Sequence, residues 1–502
     1  MKFFISIFLL ITSSFIACGQ SVDEPFSKKK MKKDFEVFKE IRLKANSGLY
    51  KYRTKEQIDS TYNWAEKEIR KSHSYLDFYN IICQLTDFEG STHNDTELPK
   101  KYLKILRQES FGYFPYPIKW IEGKWVINYK DGEIPLGSEI VEINGMPMAQ
   151  VIDDLHKYYN TDGQNITGKR IGIRTSFPKY YRFTYGQQEK FDVIFIRNNS
   201  DSKEKKTLKS AGYLKYYKNF NRRHSKPFDQ LYYANLPENL KYSFKKLDTL
   251  TGILTINDFS IGNESSKGHK TYVAFLDSVF TKIKTENLKN LILDVRLNGG
   301  GDDPNDVVTY SYLTARNFQE SKQVWISFQK VPLLKYYDTP FPRFLRPLGV
   351  GKHNRRIRNR FPIEKNGKYY ISEAENEMKV RTPNENAFTG SIYLLTSSAV
   401  ASAGSLFASM VAGNENTIVI GEETMGGYYG HNGHTFFGYV LPKSKIITAF
   451  FIDNIEQDVP NKENQFYNRG IIPDYEIPQS FEDFLNNEDT QMEFVLKLIE
   501  NK

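Results

Sequence analysis

Cysteine is almost missing from this chain: its 502 residues hold two, Cys18 and Cys83. Cys18 closes an N-terminal apolar run and is read below as consumed there, which leaves Cys83 no partner for an intrachain disulfide. Cys83 stands in the apolar helical context Tyr79-Asn80-Ile81-Ile82-Cys83-Gln84-Leu85 and is expected as a core thiol rather than a nucleophile. Long hydrophobic runs are missing as well, since no stretch beyond the N-terminus is apolar enough to span a bilayer. The eight histidines show no paired ligand spacing, so zinc is not expected. Charge of one sign is in mild excess only, 69 Lys and Arg against 60 Asp and Glu, and is scattered along the chain. Aromatics reach 15% but no nucleic-acid motif accompanies them, so nucleic acid is not an expected partner.

What is present begins at the N-terminus. Lys2 is followed by an apolar run from Phe3 to Ala17 and then by Cys18, the length and small-residue exit of a secretory signal. Phe15-Ile16-Ala17-Cys18 looks like a bacterial lipobox, which would make residues 1–17 a signal peptide and Cys18 the lipidated first residue of the mature protein. Acyl chains on Cys18 would anchor the protein to the outer membrane of a bacterial cell envelope, on its periplasmic or surface side, without any spanning helix.

Residues 18–108 read as a helical region, with apolar positions three and four apart in Met31–Leu43 and Ile58–Ile69. Turn chemistry interrupts it at Glu89-Gly90-Ser91-Thr92-His93-Asn94-Asp95. Residues 109–200 turn to short β-rich segments. The string Gly137-Ser138-Glu139-Ile140-Val141-Glu142-Ile143-Asn144-Gly145 resembles a PDZ signature, with a helix to follow at Val151–Tyr159 and a closing strand at Phe191–Arg197. Such a module takes extended peptides along a sheet edge. Residues 201–248 are charged and Tyr-rich and read as a linker with some local structure. Residues 249–480 alternate apolar strands (Ile253–Ile256, Leu291–Val295, Ile392–Leu395, Thr417–Ile420) with helices (Tyr272–Thr285, Ala403–Ala412), the pattern of a layered α/β fold. A long insertion, 315–390, is either a lid or an extra subdomain. A C-terminal helix is expected over 481–502.

Three strings in that α/β region fit one another. Leu293-Asp294-Val295-Arg296-Leu297-Asn298-Gly299-Gly300-Gly301 is a strand running into bare backbone that can approach a ligand closely. Leu394 to Ala408 is a strand, a small-residue turn and a helix opening near Ser402. A hydroxyl there meets the unpaired N–H groups of a helix N-terminus, although serine in that place is also an ordinary cap. Gly421-Glu422-Glu423-Thr424-Met425-Gly426-Gly427 is a second glycine-rich strand exit carrying two acids.

In this order, and with Gly470-Ile471-Ile472-Pro473-Asp474 behind them, the strings resemble the C-terminal-processing (tail-specific) serine peptidases and their relatives around the tricorn protease core. The PDZ-like segment ahead is the family's usual companion. The resemblance implies a ClpP/crotonase-like layered α/β peptidase core, hydrolysis of polypeptides through an acyl-enzyme, and no metal or organic cofactor. It puts Ser402 on the nucleophile, and Ala403 with Gly300 or Gly301 on the oxyanion hole. Ser397 and Ser398 are expected as turn residues. Where the tail-specific branch has a lysine base this chain has Gly427, which cannot take a proton. That places it nearer the tricorn-like branch, whose base is a histidine far upstream beside a hydroxyl residue; Thr92-His93 matches, with His431 and His434 as local rivals. A histidine base would titrate near about 6.5. For the orienting acid, Glu422 is the candidate in the motif itself, while Glu456, Asp458 and Glu463 lie nearer the expected chain position, where Tyr467 cannot serve. The alternative is a catalytically inactive, peptide-binding envelope lipoprotein, or a scaffold docking through its basic insertion.

Overall fold

Ser27, Thr54 and Ser74 each stop a backbone N–H from going unpaired at the start of a helix, and with them the N-terminal region takes shape. The structure, a computed structural model, describes residues 22–225, 236–302, 304–341 and 345–501; Cys18 and the signal segment lie outside the described residues. Helix α1 (Lys28–Ala45) is capped by the Ser27 hydroxyl; α2 (Lys55–Lys71) and α3 (Tyr75–Phe88) open with reciprocal caps, Thr54 with Gln57 and Ser74 with Asp77. Each such cap contributes about 1 kcal/mol. Met31, Phe35, Phe38 and Ile41 form the buried stripe of α1, and a short strand β1 (Asp95–Glu97) and helix α4 (Lys100–Leu106) complete the region. Cys83 is buried, and burial pushes its thiol up to about 12, so it is inert as a nucleophile.

The PDZ-like module holds β2 (Ile118–Ile121), β3 (Lys124–Ile127), β4 (Glu139–Ile143), β5 (Met146–Pro147), α5 (Met148–Leu155), α6 (Thr167–Tyr185), β6 (Lys190–Ile196) and β7 (Lys203–Lys209). Its antiparallel sheet runs β2-β3-β4-β6-β7, with β5 beside β4. Two expectations need correction. Helix α6 was not anticipated in a β-rich stretch, because it is buried on several sides at once: Ile171, Phe177 and Phe183 share it with buried Lys169 and Arg182, so no single apolar stripe shows. The segment 201–248 is not a plain linker either. Strand β7 pairs with β6 along its whole length, and its alternating charges are those of a protected edge strand. Helices α7 (Tyr213–Asn221) and α8 (Glu238–Lys241) follow, and β8 (Tyr242–Lys246) joins the next sheet.

That sheet is the α/β core. Its strands are β8, β9 (Thr251–Ile256), β10 (Asn290–Asp294), β14 (Ser391–Thr396), β15 (Thr417–Gly421) and β18 (Tyr475–Glu476), in the order β18-β15-β14-β10-β9-β8. All neighbours are parallel except β8 on β9. Helices α9 (Lys267–Thr285), α10 (Asn305–Ser311) and α13 (Ala403–Ala412) cover one face through Leu276, Tyr310 and Phe407, which pack with Leu254, Leu293 and Leu394. The other face, with Ile292, Tyr393 and Leu395, meets Val495. Burial on both sides is why these strands read as continuous apolar runs.

The insertion is a subdomain with strands of its own. It contributes β11 (Ser321–Ile326), α11 (Arg346–Gly349), α12 (Gly351–Arg360), β12 (Ile363–Lys365) and β13 (Lys368–Tyr370). These join the hairpin β16 (Asn432–Val440) and β17 (Ile447–Gln457) in a third sheet, β1-β17-β11-β13-β12, with β16 on the far side of β17. Because β1 belongs to it, the N-terminal region is built into this sheet. The C-terminal segment is two helices, α14 (Phe481–Asn486) and α15 (Thr490–Glu500), separated at Asn487, which is left-handed at φ 59°.

Candidate active site

Ser402 stands between β14 and α13 with φ 52° and ψ −135°, a backbone conformation that L-residues rarely hold. Its hydroxyl caps nothing, which sets it apart from Ser27, Thr54 and Ser74. A serine held in strain at a helix N-terminus, with its side chain unspent, has the form of a nucleophile elbow. The preceding turn is fixed by Ser397, whose Oγ donates to the Arg296 carbonyl and accepts the Ala399 N–H at 3.0 Å. The turn role expected for Ser397 is therefore the one it has.

The glycine triplet comes in against this elbow. A Cβ on Gly300 would lie 2.7 Å from Ser402 Cβ and 3.2 Å from its Oγ, so only glycine fits there. Asn298 holds the approach: its Oδ1 accepts the Gly300 N–H at 2.9 Å, while its carbonyl accepts the Ala401 N–H at 3.3 Å. Gly300 N–H is thereby spent inside the loop. Among the described residues, the N–H groups of Gly301 and Ala403 have no acceptor. The two unspent donors thus flank the elbow, one from each segment.

His93 lies in the loop after α3, and that loop is anchored by a buried ion pair. Arg42 Nε and Nη2 reach the two carboxylate oxygens of Glu89 at 2.6 Å each; both side chains are buried. Asn46 and Asn94 add bonds of 3.0 and 2.8 Å to Glu89 Oε2. The His93 ring stacks on His431 with centroids 4.9 Å apart and leans on Phe451 at 4.8 Å. Its Nδ1 is buried and has no partner among the described residues. Burial, and then the charge of His434, lower the His93 pKa to about 4, against a smaller opposing effect of a backbone bond with Asn432. A base limb near 6.5 is therefore not what this environment supports. His431, more enclosed at 1% exposure, is held well below the ordinary value by burial and by His93, His434 and Lys51. His434 turns towards the insertion, 3.9 Å from Glu320 and 3.9 Å from Glu377.

The His93 loop reaches the elbow through one backbone layer. Thr92 Oγ1 lies 3.5 Å from the Met425 carbonyl, and Met425 and Gly426 both donate to the Val400 carbonyl at 3.0 and 3.2 Å. Val400 is two residues before Ser402. Among the described residues no hydrogen bond joins Ser402 Oγ to an imidazole, and none joins an acid to His93. Catalytic contacts commonly tighten only when substrate binds. At Gly427 a Cβ would meet the Gly430 carbonyl at 3.0 Å and the Tyr52 hydroxyl at 3.4 Å, so the place is already enclosed by the N-terminal region.

Glu422 is placed elsewhere. It lines a cavity of about 270 Å³ at the C-terminal ends of the parallel strands, together with Arg170, Arg174 and Lys119 of the PDZ-like module. Burial raises its pKa, and the nearest charges opposing that rise are Arg174, Arg170 and Lys119. Its neighbour Glu423 is bound by Arg469 at 2.8 and 2.6 Å and by the Gly470 N–H at 2.9 Å. Of the late acids, Glu456 pairs with Lys322 at 3.0 Å and Asp458 with Arg316 at 3.1 Å. Between them Gln457 turns inward and donates to the Leu406 carbonyl on α13, an inward contact that neighbouring surface charges conceal in the sequence. Asp162, buried, and Lys51, half-buried, were also missed beside the same loops; in the sequence they stand in an Asp-Gly turn and in a charge-rich stretch, neither of which signals a site. One acidic group, Asp483 with Glu488 and Glu493, is close enough to share a cation among the described residues, with no further feature pointing to one.

Comparison with known proteins agrees with this architecture. Residues 250–477 match the model of peptidase family S41, and residues 110–218 match a PDZ domain. Residues 250–477 thus form a serine peptidase core of family S41, the C-terminal-processing peptidases, with a PDZ domain ahead of it. The PDZ match runs to 218, so β7 belongs to that domain. Mature CPAF is similar in fold: 14% identity, TM-score 0.58, covering 95% of this chain and 98% of that one. A mutant of CPAF gives 12% identity and TM-score 0.60, over 94% and 96% of the two chains. The photosystem II D1 C-terminal processing protease matches at 13% identity and TM-score 0.37, over 93% and 99%. No curated protein matches the sequence.

Proposed function

We propose that this peptidase cleaves polypeptides in the cell envelope through an acyl-enzyme on Ser402, with His93 as its base. The observation that carries the reading is the elbow: a serine at φ 52°, uncapped, against which Gly300 is packed. Ser402 Oγ attacks the peptide carbonyl carbon while His93 takes the hydroxyl proton. The developing oxyanion is received by the N–H groups of Ala403 and Gly301, each such donor being worth about 3 kcal/mol of barrier. His93 then delivers its proton to the leaving amine, and a water deprotonated by the same ring hydrolyses the ester. A ring with a pKa about 4 is uncharged throughout the neutral range, with one nitrogen ready to accept a proton. We assign Glu422 to the contact between the PDZ domain and the core. The PDZ domain would capture the polypeptide, and lipid on Cys18, proposed from Phe15-Ile16-Ala17-Cys18, would hold the enzyme at the membrane.

A serine-directed fluorophosphonate probe together with peptide turnover tests the chemistry. The parent should label at Ser402, and Ser402→Ala should not. His93→Ala should lose several orders of magnitude in turnover, with the double variant little worse than either single one. If His431→Ala is inactive while His93→Ala works, the base is His431. A parent inert to both probe and peptide would leave the inactive, peptide-binding reading standing. Membrane release and loss of palmitate labelling in Cys18→Ser test the anchor.

A further inference from the structure

One carboxylate from the PDZ domain lies between two loops of the site. Asp162 is buried, at 1% exposure. Its Oδ1 accepts the Thr92 N–H at 2.8 Å, and its Oδ2 accepts the Gly427 N–H at 3.0 Å. Thr92 is the residue before His93. Gly427 follows Gly426, whose backbone packs on the nucleophile helix so closely that a Cβ would lie 2.1 Å from Ser405 Oγ.

The residues around Asp162 extend the same junction. Gly163 N–H donates to the Gly90 carbonyl at 2.8 Å, Gln164 N–H to Asn468 at 2.8 Å, and Asn165 Nδ2 to Thr424 at 2.9 Å. These bonds dock the segment. Asp162 differs from them in bridging the His93 loop to the Gly427 loop with one rigid group.

We propose that Asp162 is a positioning residue for the acyl transfer assigned above: it sets the His93 loop at a fixed distance from the elbow through Thr92 and Gly427. The inference rests on the proposed roles of Ser402 and His93. It makes the PDZ domain part of the catalytic geometry as well as a place to capture substrate.

The carboxylate must be ionised to accept from both amides without a proton in the way. Burial raises its pKa to about 6, against the Thr92 and Gly427 backbone bonds and the charge of Lys51, which lower it. The titratable groups facing it come from the N-terminal region: Lys51, itself lowered to about 8 by burial, and Tyr52, whose hydroxyl is raised further by Asp162. Lys51 stays protonated where Asp162 titrates, so the acid limb belongs to Asp162.

The test uses the full chain carrying Asp162→Asn, in which an amide N–H₂ must face one of the two N–H donors. We expect kcat to fall about 100-fold, as displacements near 1 Å cause, with KM within about threefold. The parent should lose kcat as pH falls through about 6, and the variant should lack that limb. A general loss of stability would not remove a limb from the pH profile. Amide hydrogen exchange of 90–94 and 425–428 should accelerate about tenfold or more in the variant, with the rest of the chain unchanged. In the parent, the same two segments should loosen below pH about 6 once intrinsic rates are removed, which serves if the variant does not fold. Unchanged exchange in both segments, or an unchanged acid limb, overturns the proposal. The exchange measurements need no turnover, so an inert parent would sink the catalytic assignment without deciding this one.

Discussion

Replacing Ser402 by glycine and by alanine separates chemistry from conformation. Both variants lack the hydroxyl, so both should be inactive, and any difference between them reads the backbone at φ 52°. Holding a non-glycine residue in such a region costs about 1–3 kcal/mol. Glycine escapes that cost but loses about 0.5–1 kcal/mol more through its freer unfolded chain. The net expectation is that Ser402→Gly is more stable than Ser402→Ala by about 1 kcal/mol, within a range of about 0–2.5. For a domain the size of the 250–477 core, 1 kcal/mol corresponds to about 2–4 °C in Tm. In the middle of a helix the sign is opposite, because glycine there is worse than alanine by about 0.5–1 kcal/mol, whereas at an ordinary N-cap glycine is already the better of the two. Thermal melts of the two inactive variants under identical conditions measure the sign directly. If Ser402→Gly melts below Ser402→Ala, the backbone at Ser402 is unstrained, and only the uncapped hydroxyl is left to separate it from a simple cap.

Arg42→Met should cost about 3–5 kcal/mol by stranding buried Glu89, while the double variant Arg42→Met/Glu89→Leu should recover most of it; urea unfolding of the four proteins gives the coupling, and a single-variant cost under about 1 kcal/mol refutes it. Glu422→Gln should keep fluorophosphonate labelling within about threefold of the parent, whereas loss of a true orienting acid costs about 10⁴-fold, so a loss of that size would return Glu422 to the site.

The α/β core was legible because its strands are buried on both faces and read as bare apolar runs, and α13 was expected over the same residues, Ala403–Ala412, that form it. Helix α6 and strand β7 were not, each for a stated reason: one is buried all round, the other carries charge on an exposed edge. At the site, Ser402 and the glycine triplet were legible only through the family resemblance of the ordered strings, since alone the one reads as a helix cap and the other as a turn; the structure packs Gly300 against Ser402. Nothing local marks Asp162 or Lys51, which come to the site from a turn and from an exposed-looking charged stretch. The donor Gly300 shows the finer limit: a glycine triplet announces close approach, but which N–H remains free depends on where Asn298 turns its side chain.

Carboxylates recur at the contacts around this site, two of them within one part (Glu89, Glu423) and two between parts (Asp162, Glu422). Glu89 ties α1 to the His93 loop through Arg42; Asp162 ties the PDZ domain to that loop and to Gly427; Glu423 ties the Gly426 loop to Arg469 and Gly470. Glu422 faces the PDZ domain's Arg170 and Arg174 across the cavity. An apolar contact would hold these parts together over many registers, because it is non-directional. A buried carboxylate tolerates few arrangements, since leaving it unpaired costs about 3–5 kcal/mol. The junctions therefore select one relative placement of N-terminal region, PDZ domain and core, the one in which Thr92-His93 lies a single backbone layer from Val400. On the roles proposed for Ser402, His93 and Asp162, the peptidase core alone would be an incomplete site: the proposed base arrives on one neighbour and the group proposed to position its loop arrives on another.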